Sequence, residues 1–429
     1  MSSLTAGSEQ LSSRMRRQNA LTLLFFLCAA AALLIRFTVS QQLMNMVVNY
    51  TEDGGPFYQK LHLGTYAIFF LCAVVLFSRP FLLRGDEISV FKALLRYSVL
   101  VFVLVPYLFA AGRAGASGFV VDTYLVAGAA GLMMLALNED ARRALGDVVL
   151  VTLILSAAIG IMEVATQHRL LPFTESEPVF RPIGLAGHPL ALGGQCAIAI
   201  GFVASTRWRI WVRVLSILIL FVGTAASGAR TALILTVGEI FILLMFVRWP
   251  RLTTEHQREA KFVVLLFTAV IGVAMVAGML SAGLLSRFDN TIFDANFMAR
   301  VTIYQVFGLV SWKDILFGMD ANELLRIVNE QLGLPHIESA PVVFGQLFGV
   351  PIAILFFALI LWLIFKLLRE APLPARVATT VFLLASLSNN ALSSKTPDVT
   401  IMVVLLIATR KPQEVPPAVT FEQARVRAG

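Results

Sequence analysis

"QLFGVPIAILFFALILWLIFKLL", residues 346–368, contains one charged side chain, Lys366, and shows no alternation of apolar with polar positions. A run of this length matches the hydrocarbon thickness of a bilayer, about 30 Å at about 1.5 Å per helical residue. Lipid offers no hydrogen-bond partners, so the backbone of such a run must satisfy itself, and the run reads as a helix. Its continuity argues against an outer-membrane barrel, whose strands alternate.

Similar runs recur along the whole chain. Near 19–39, 62–78, 93–112, 118–137, 147–165, 189–206, 212–228, 231–248, 262–284, 346–368, 377–390 and 398–410, hydropathy gives about twelve spans. The last two are short and read equally as one broken re-entrant pair. Composition agrees: 58% of residues are hydrophobic and 14% charged, with a mean hydropathy of +0.81. A soluble domain is nearer half apolar and a quarter charged. The fold class expected is therefore all-α: a polytopic membrane protein in which residues 1–284 hold nine spans, 285–345 form an outer loop, 346–410 hold three more, and 411–429 form a polar tail.

The net charge of +8 does not indicate nucleic acid, because the Lys and Arg residues gather in alternate short loops. Loops at 79–92, 142–143, 207–213, 248–261, 366–376 and 410–411 carry them, which makes those loops and both termini cytoplasmic. Arg14, Arg16 and Arg17 precede an apolar run that lacks a small-residue cleavage site, so it reads as a retained span. Cys28, Cys72 and Cys196 all fall in apolar runs, with no metal-site spacing.

Of the outer loops, 285–345 is the long one, and long loops are where function concentrates. "FMARVTIYQVFGLV" and "ANELLRIVNEQLG" repeat apolar residues at helical spacing, the second ending at Gly333 as a C-cap. A small helical cap is expected on the outer face.

Costly polar residues converge on that face. "FRPIGLAGHPLALGG", residues 180–194, places Arg181 and His188 around a Gly- and Pro-broken stretch. "TAASGARTALI", residues 224–234, leaves Arg230 between two apolar runs with almost no loop, a placement that costs several kcal/mol unless the group is paired or wet. The long loop adds Arg287, Arg300, His336 and Glu338. Each has a plainer role available. Arg181 suits a surface position, Arg230 can snorkel, Arg287 can anchor a span boundary, and His188 can cap the helix after it. His336 can be a satisfied loop histidine, and Glu338 can pair with an Arg for stability. Together they suit a lipid diphosphate, because guanidinium forks match phosphate oxygens and a nearby His or Glu can act as general base. The outer side has no Asp-x-Asp cluster, so the leaving group would be stabilised by Arg and no metal is expected.

These segments resemble the O-antigen ligase and Wzy-type polysaccharide polymerase superfamily. "RPIGLAGHPLALGG" is similar to its Arg-x-x-Gly then His/Asn-Pro pattern. "TAASGARTALI" is similar to its Thr-x-Ser-Arg-Thr-Ala element, with Gly228 and Ala229 intervening. "ARVTIYQVFGLVSWKDILFGMD" followed by "HIESAPVVFGQLFGVPIA" looks like its outer loop. The resemblance implies an inner-membrane glycosyltransferase with a periplasmic site. It would move glycan from undecaprenyl diphosphate to an acceptor hydroxyl without cofactor, alongside a chain-length regulator and a flippase. Arg181, Arg230 and Arg300 would bind diphosphate, with His188 and Arg287 auxiliary. The family's catalytic His-Asn pair is not reproduced: its spacing from the Gly that opens the next span leads back from Gly349 to Glu338, whereas residue type favours His336. That departure favours a polymerase over a ligase acting on lipid A-core. A secondary transporter or lipid flippase is the reading from another class, and it would rest on Glu163 and Glu239 in or near spans.

Overall fold

The computed structural model describes residues 2–50, 57–78, 83, 85–174, 180–247, 256–263, 295–335, 337, 339–387 and 391–410, with single helical positions at 266, 270, 273 and 277. Every regular element among them is helical. In chain order these are α1 (Ser2–Thr38), α2 (Gln41–Asn45), α3 (Leu63–Ser78), α4 (Asp86–Ala110), α5 (Ala114–Phe119), α6 (Val126–Leu135), α7 (Glu139–Thr166), α8 (Pro189–Ser205), α9 (Ile210–Ala226) and α10 (Arg230–Phe246). They continue as α11 (Ala295–Thr302), α12 (Trp312–Phe317), α13 (Ala321–Leu332), α14 (Ala340–Phe348), α15 (Val350–Leu368), α16 (Leu373–Leu387) and α17 (Asp398–Ala408).

Local chemistry sets the ends of these helices. Asn138 caps α7 by accepting the Ala141 amide at 2.9 Å, and Glu139 and Asp140 follow in the first turn, where the helix dipole favours anions. Asp320 caps α13 and Gly333 ends it at φ 66°, where a left-handed residue closes the last turn, so the C-cap expected there is present. The run at 118–137 is not one regular helix: α5 and α6 are joined by a π turn over Val120–Leu125, and π turns are frequent at functional sites. The run at 346–368 is also broken. α14 stops at Phe348, Gly349 takes φ 83°, and the spanning helix starts only at Val350.

Among the described residues, five helical stretches are long and apolar enough to cross a membrane: Asn19–Thr38, Asp86–Ala110, Ala114–Leu135, Glu139–Thr166 and Val350–Leu368. Shorter apolar helices lie between them. The outward faces are apolar too, with Phe102, Val103, Ile354, Leu355 and Phe365 all more than half exposed, as lipid contact requires. α6 and α17 are different. Every residue of both is buried, so they form the centre of the bundle. α17 has 11 residues, about 16 Å of helix, roughly half a bilayer core. Most of the 262–284 run lies outside the described residues.

The helices alternate in direction. At one end the C-terminal parts of α1, α7 and α9 meet the starts of α3, α8 and α17 and the π turn after α5, as the Arg36–Asp122, His62–Asp122, Ile183–Glu163, Arg181–Ser227 and Gln195–Asp398 hydrogen bonds show. At the other end Arg142 of α7 pairs with Glu87 of α4 at 2.6 Å, and Gly146 packs on Ala408. Arg181, His188, Arg230 and Glu163 lie at the first end.

Candidate functional site

Residues 168–174 and 180–188 fold back over the end of α7. Glu163, fully buried, accepts the amides of Leu170 (2.9 Å), Ile183 (2.8 Å) and Gly184 (2.9 Å). Arg169 lies over the rings of Phe173 and Phe180 and donates to the Arg181 carbonyl at 3.0 Å. Gly184 (φ 50°) has no room for a side chain, since a Cβ there would stand 2.4 Å from the Ser156 carbonyl oxygen. His188 caps α8 by accepting the Leu190 amide on Nδ1 at 3.1 Å, and Pro189 follows at the first helical position. The capping role expected of His188 is therefore present.

Arg181 is no surface residue. It is 8% exposed and its Nε donates to the Ser227 carbonyl at 3.0 Å. Ser227 belongs to the turn between α9 and α10, in which Gly228 takes φ 68° and Ser227 Oγ accepts the Ala229 amide at 3.2 Å. Gly193 of α8 lies against this turn so closely that a Cβ would meet Ser227 Oγ at 2.5 Å. The two segments singled out in the sequence thus form one unit, and Arg230, half-buried, opens α10 on it.

Beside this unit lies a polar centre that the sequence does not announce. Asp122, fully buried in the π turn, accepts the Tyr50 hydroxyl at 2.7 Å and the His62 amide at 3.1 Å, while its carbonyl accepts Arg36 Nη2 at 2.9 Å. The next two residues hold the 391–397 segment: Thr123 donates to Ser394 O at 2.7 Å and Tyr124 to Leu392 O at 2.5 Å. Lys395 returns across the gap, donating to the carbonyls of Tyr50 (2.6 Å) and Lys60 (2.9 Å), with its ammonium 4.2 Å from the Tyr50 ring centroid. Burial pushes Lys395 down from 10.5 to about 8, although Asp122 pulls it up. His62 takes the Gly64 amide on Nδ1 at 3.0 Å, so Nε2 carries the proton that bonds Val39 O at 2.9 Å, and the ring is neutral. Arg36, Tyr50, His62 and Lys395 line a cavity of ≈ 170 Å³, together with residues of the 185–191 segment. Of the candidates read from the sequence, His188 lines it, and Arg181, Arg230 and Arg300 do not.

The described residues between 295 and 348 form short helices, pinned by Arg113. Its guanidinium donates to the carbonyls of Phe317, Gly318 (2.8 Å) and Leu347 (3.2 Å). There Gly318 and Gly349 cross, and a Cβ on Gly349 would stand 2.2 Å from Leu316 O. Phe344 and Phe348 of α14 pack on Phe119, and Phe344 also on Tyr124, which carries the loop down to the π turn. Arg300 lies on α11, half-buried. His336, Glu338 and Arg287 lie outside the described residues; between the first two, Ile337 packs on the core, and Ser339 bonds the Tyr304 hydroxyl at 3.3 Å. Glu239, midway along α10 and 1% exposed, lies against Gly201 of α8.

Arg36, Asp122 and Lys395 escaped the sequence reading because each sits inside, or next to, a run read as plain span or short loop. A pointer was available: Asp122 interrupts an otherwise uncharged apolar run, and an ionisable residue at membrane depth is a functional candidate by default. Among the described residues no group of three or more His, Cys, Asp or Glu side chains is arranged to hold a metal ion. Compared with known proteins, the chain matches no family model and no curated sequence.

Proposed function

We propose that this protein is a glycosyltransferase of the inner membrane that polymerises oligosaccharide repeat units carried on undecaprenyl diphosphate, building exopolysaccharide or O-antigen at the periplasmic face. The reading includes about twelve spans with both termini cytoplasmic. One observation carries it: the Arg181–Ser227 hydrogen bond makes a single unit of the two arginine-bearing segments, at the bundle end where the 295–348 segment also packs. A guanidinium held by its Nε has its plane fixed, which suits it to a diphosphate. In the proposed reaction the donor diphosphate lies against Arg181 and Arg230, with Arg300 contributing from the loop. The acceptor hydroxyl gives its proton to His336 or Glu338 and bonds the anomeric carbon. The bond from that carbon to the diphosphate oxygen breaks, and undecaprenyl diphosphate leaves with its charge matched by the arginines. Glu163 is engaged by three backbone amides, which supports a transferase over a transporter that would use that carboxylate.

A complementation test separates the outcomes. In a strain lacking the gene, His336→Ala, Glu338→Ala and Arg230→Ala are compared at matched expression, and lipid-linked and released glycan is run on a gel. Accumulation of single repeat units with loss of long chains is the expected result. Long chains that form on the carrier but never reach lipid A would mean a ligase. Glycan unchanged by all three variants would remove the transferase reading and bring the transporter forward.

A further inference from the structure

Among the described residues, those around the cavity between the α1–α2 corner, the 185–191 segment and the 391–397 segment carry more positive charge than negative. Arg36 is 3% exposed; its Nη2 is spent on a backbone carbonyl and its Nε, also buried, has no partner. Lys395 bonds carbonyls only. The nearby carboxylates are already committed, Asp122 to Tyr50 and His62 and Asp398 to Gln195 at 2.9 Å. With Lys60 beside them, three cations face two carboxylates, and neither Arg36 nor Lys395 is in an ion pair among the described residues. A buried cation held by dipoles alone is costly, and an entering anion recovers that cost.

The donors also fit a particular anion. Besides Arg36 Nε and Lys395, His188 lines the cavity, its Nδ1 taken by the Leu190 amide. The buried Oε1 of Gln42 has no partner either, and turning that amide over presents its NH₂ instead. The volume, ≈ 170 Å³, is far above the roughly 10–15 Å³ that admits one water. Gly118 leaves room for the Lys395 side chain, since a Cβ there would press on Lys395 Cε at 3.1 Å.

We propose that this cavity binds a phosphoryl group, either the phosphate of a lipid or a free phosphate ion, held by Arg36 and Lys395 with His188 at its wall. A tetrahedral oxyanion uses several converging donors at once, whereas a halide would use the charge and leave the directionality unused. The site is separate from Arg181 and Arg230, neither of which lines it, and it stands whether or not the protein transfers glycan.

The test uses the full chain in nanodiscs, titrated by calorimetry with inorganic phosphate and, separately, with farnesyl phosphate. Lys395→Gln is expected to weaken binding at least 10-fold, Lys395→Arg to retain it, and Arg36→Gln to abolish it. Lys395 lies outside the helices, so its variants answer the question even if Arg36→Gln fails to fold. Farnesyl phosphate binding at least 10-fold more tightly than phosphate, through the same residues, would identify a lipid as the source; equal affinities would identify the free ion. Undiminished binding of both probes by Lys395→Gln would overturn the proposal, as would binding lost only in Arg230→Gln, and neither result would touch the glycosyltransferase reading.

Discussion

Glu163 receives three backbone amides from a segment that follows it in the chain, so one carboxylate sets the path by which Arg181 reaches the turn before α10. Replacing it with Ala would leave buried donors without an acceptor, at about 3 kcal/mol in all. Thermal melting of Glu163→Ala should show that loss. Lys395 gives a second residue-scale expectation, in pH. Its folded-state value of about 8 lies below its ordinary 10.5, so between those values the unfolded chain holds more protons than the folded one. The penalty for burying its charge is complete below about pH 8 and fades as pH rises toward 10.5. The melting temperature of the wild type relative to Lys395→Gln should therefore rise across that window, and a relative fall would count against a buried ammonium. Arg181, Arg230 and His188 were legible in the sequence because polar groups stood out against Gly, Pro and apolar neighbours. Arg36, Asp122 and Lys395 were not, because they act together and their contacts join positions 86 and 345 residues apart, which no local pattern records.

The elements that position the site are irregular ones. A regular α-helix through 118–137 would satisfy its own backbone equally well, so nothing in hydropathy reports that six of its residues form a π turn. That turn lets Asp122 hold Tyr50 and His62 while Thr123 and Tyr124 hold the 391–397 segment. The break at Gly349 was similarly hidden: the run at 346–368 reads as continuous because both sides of the break are apolar. Two glycines crossing there do what no side chain would permit. Gly349→Ala combines a φ of 83° with a carbonyl oxygen 2.2 Å from the new carbon, and should cost about 3 kcal/mol or more. Limited proteolysis should find the 295–348 segment cleaved faster in that variant while the spanning helices stay protected. Equal cleavage in the two proteins would mean that the crossing does not hold the segment down.

At the scale of the molecule, helicity and membrane residence were written plainly in the composition, since a bilayer demands one apolar side chain after another. The division between lipid-facing and central helices was not, because α17 is no more hydrophobic than α15 would lead one to expect of a span. Photoreactive lipids should label Ile354 and Leu355, which are 62% and 70% exposed, and leave 401–407 unlabelled. Labelling of α17 would place it at the rim and contradict the packing. That packing also bears on synthesis. α17 fills the middle of the bundle, against Gly131 of α6 and Gly146 of α7, yet it follows nearly all its neighbours in the chain. When the ribosome has delivered α16, the earlier helices surround a groove with nothing in it. The centre of this bundle therefore closes only after its rim has been made.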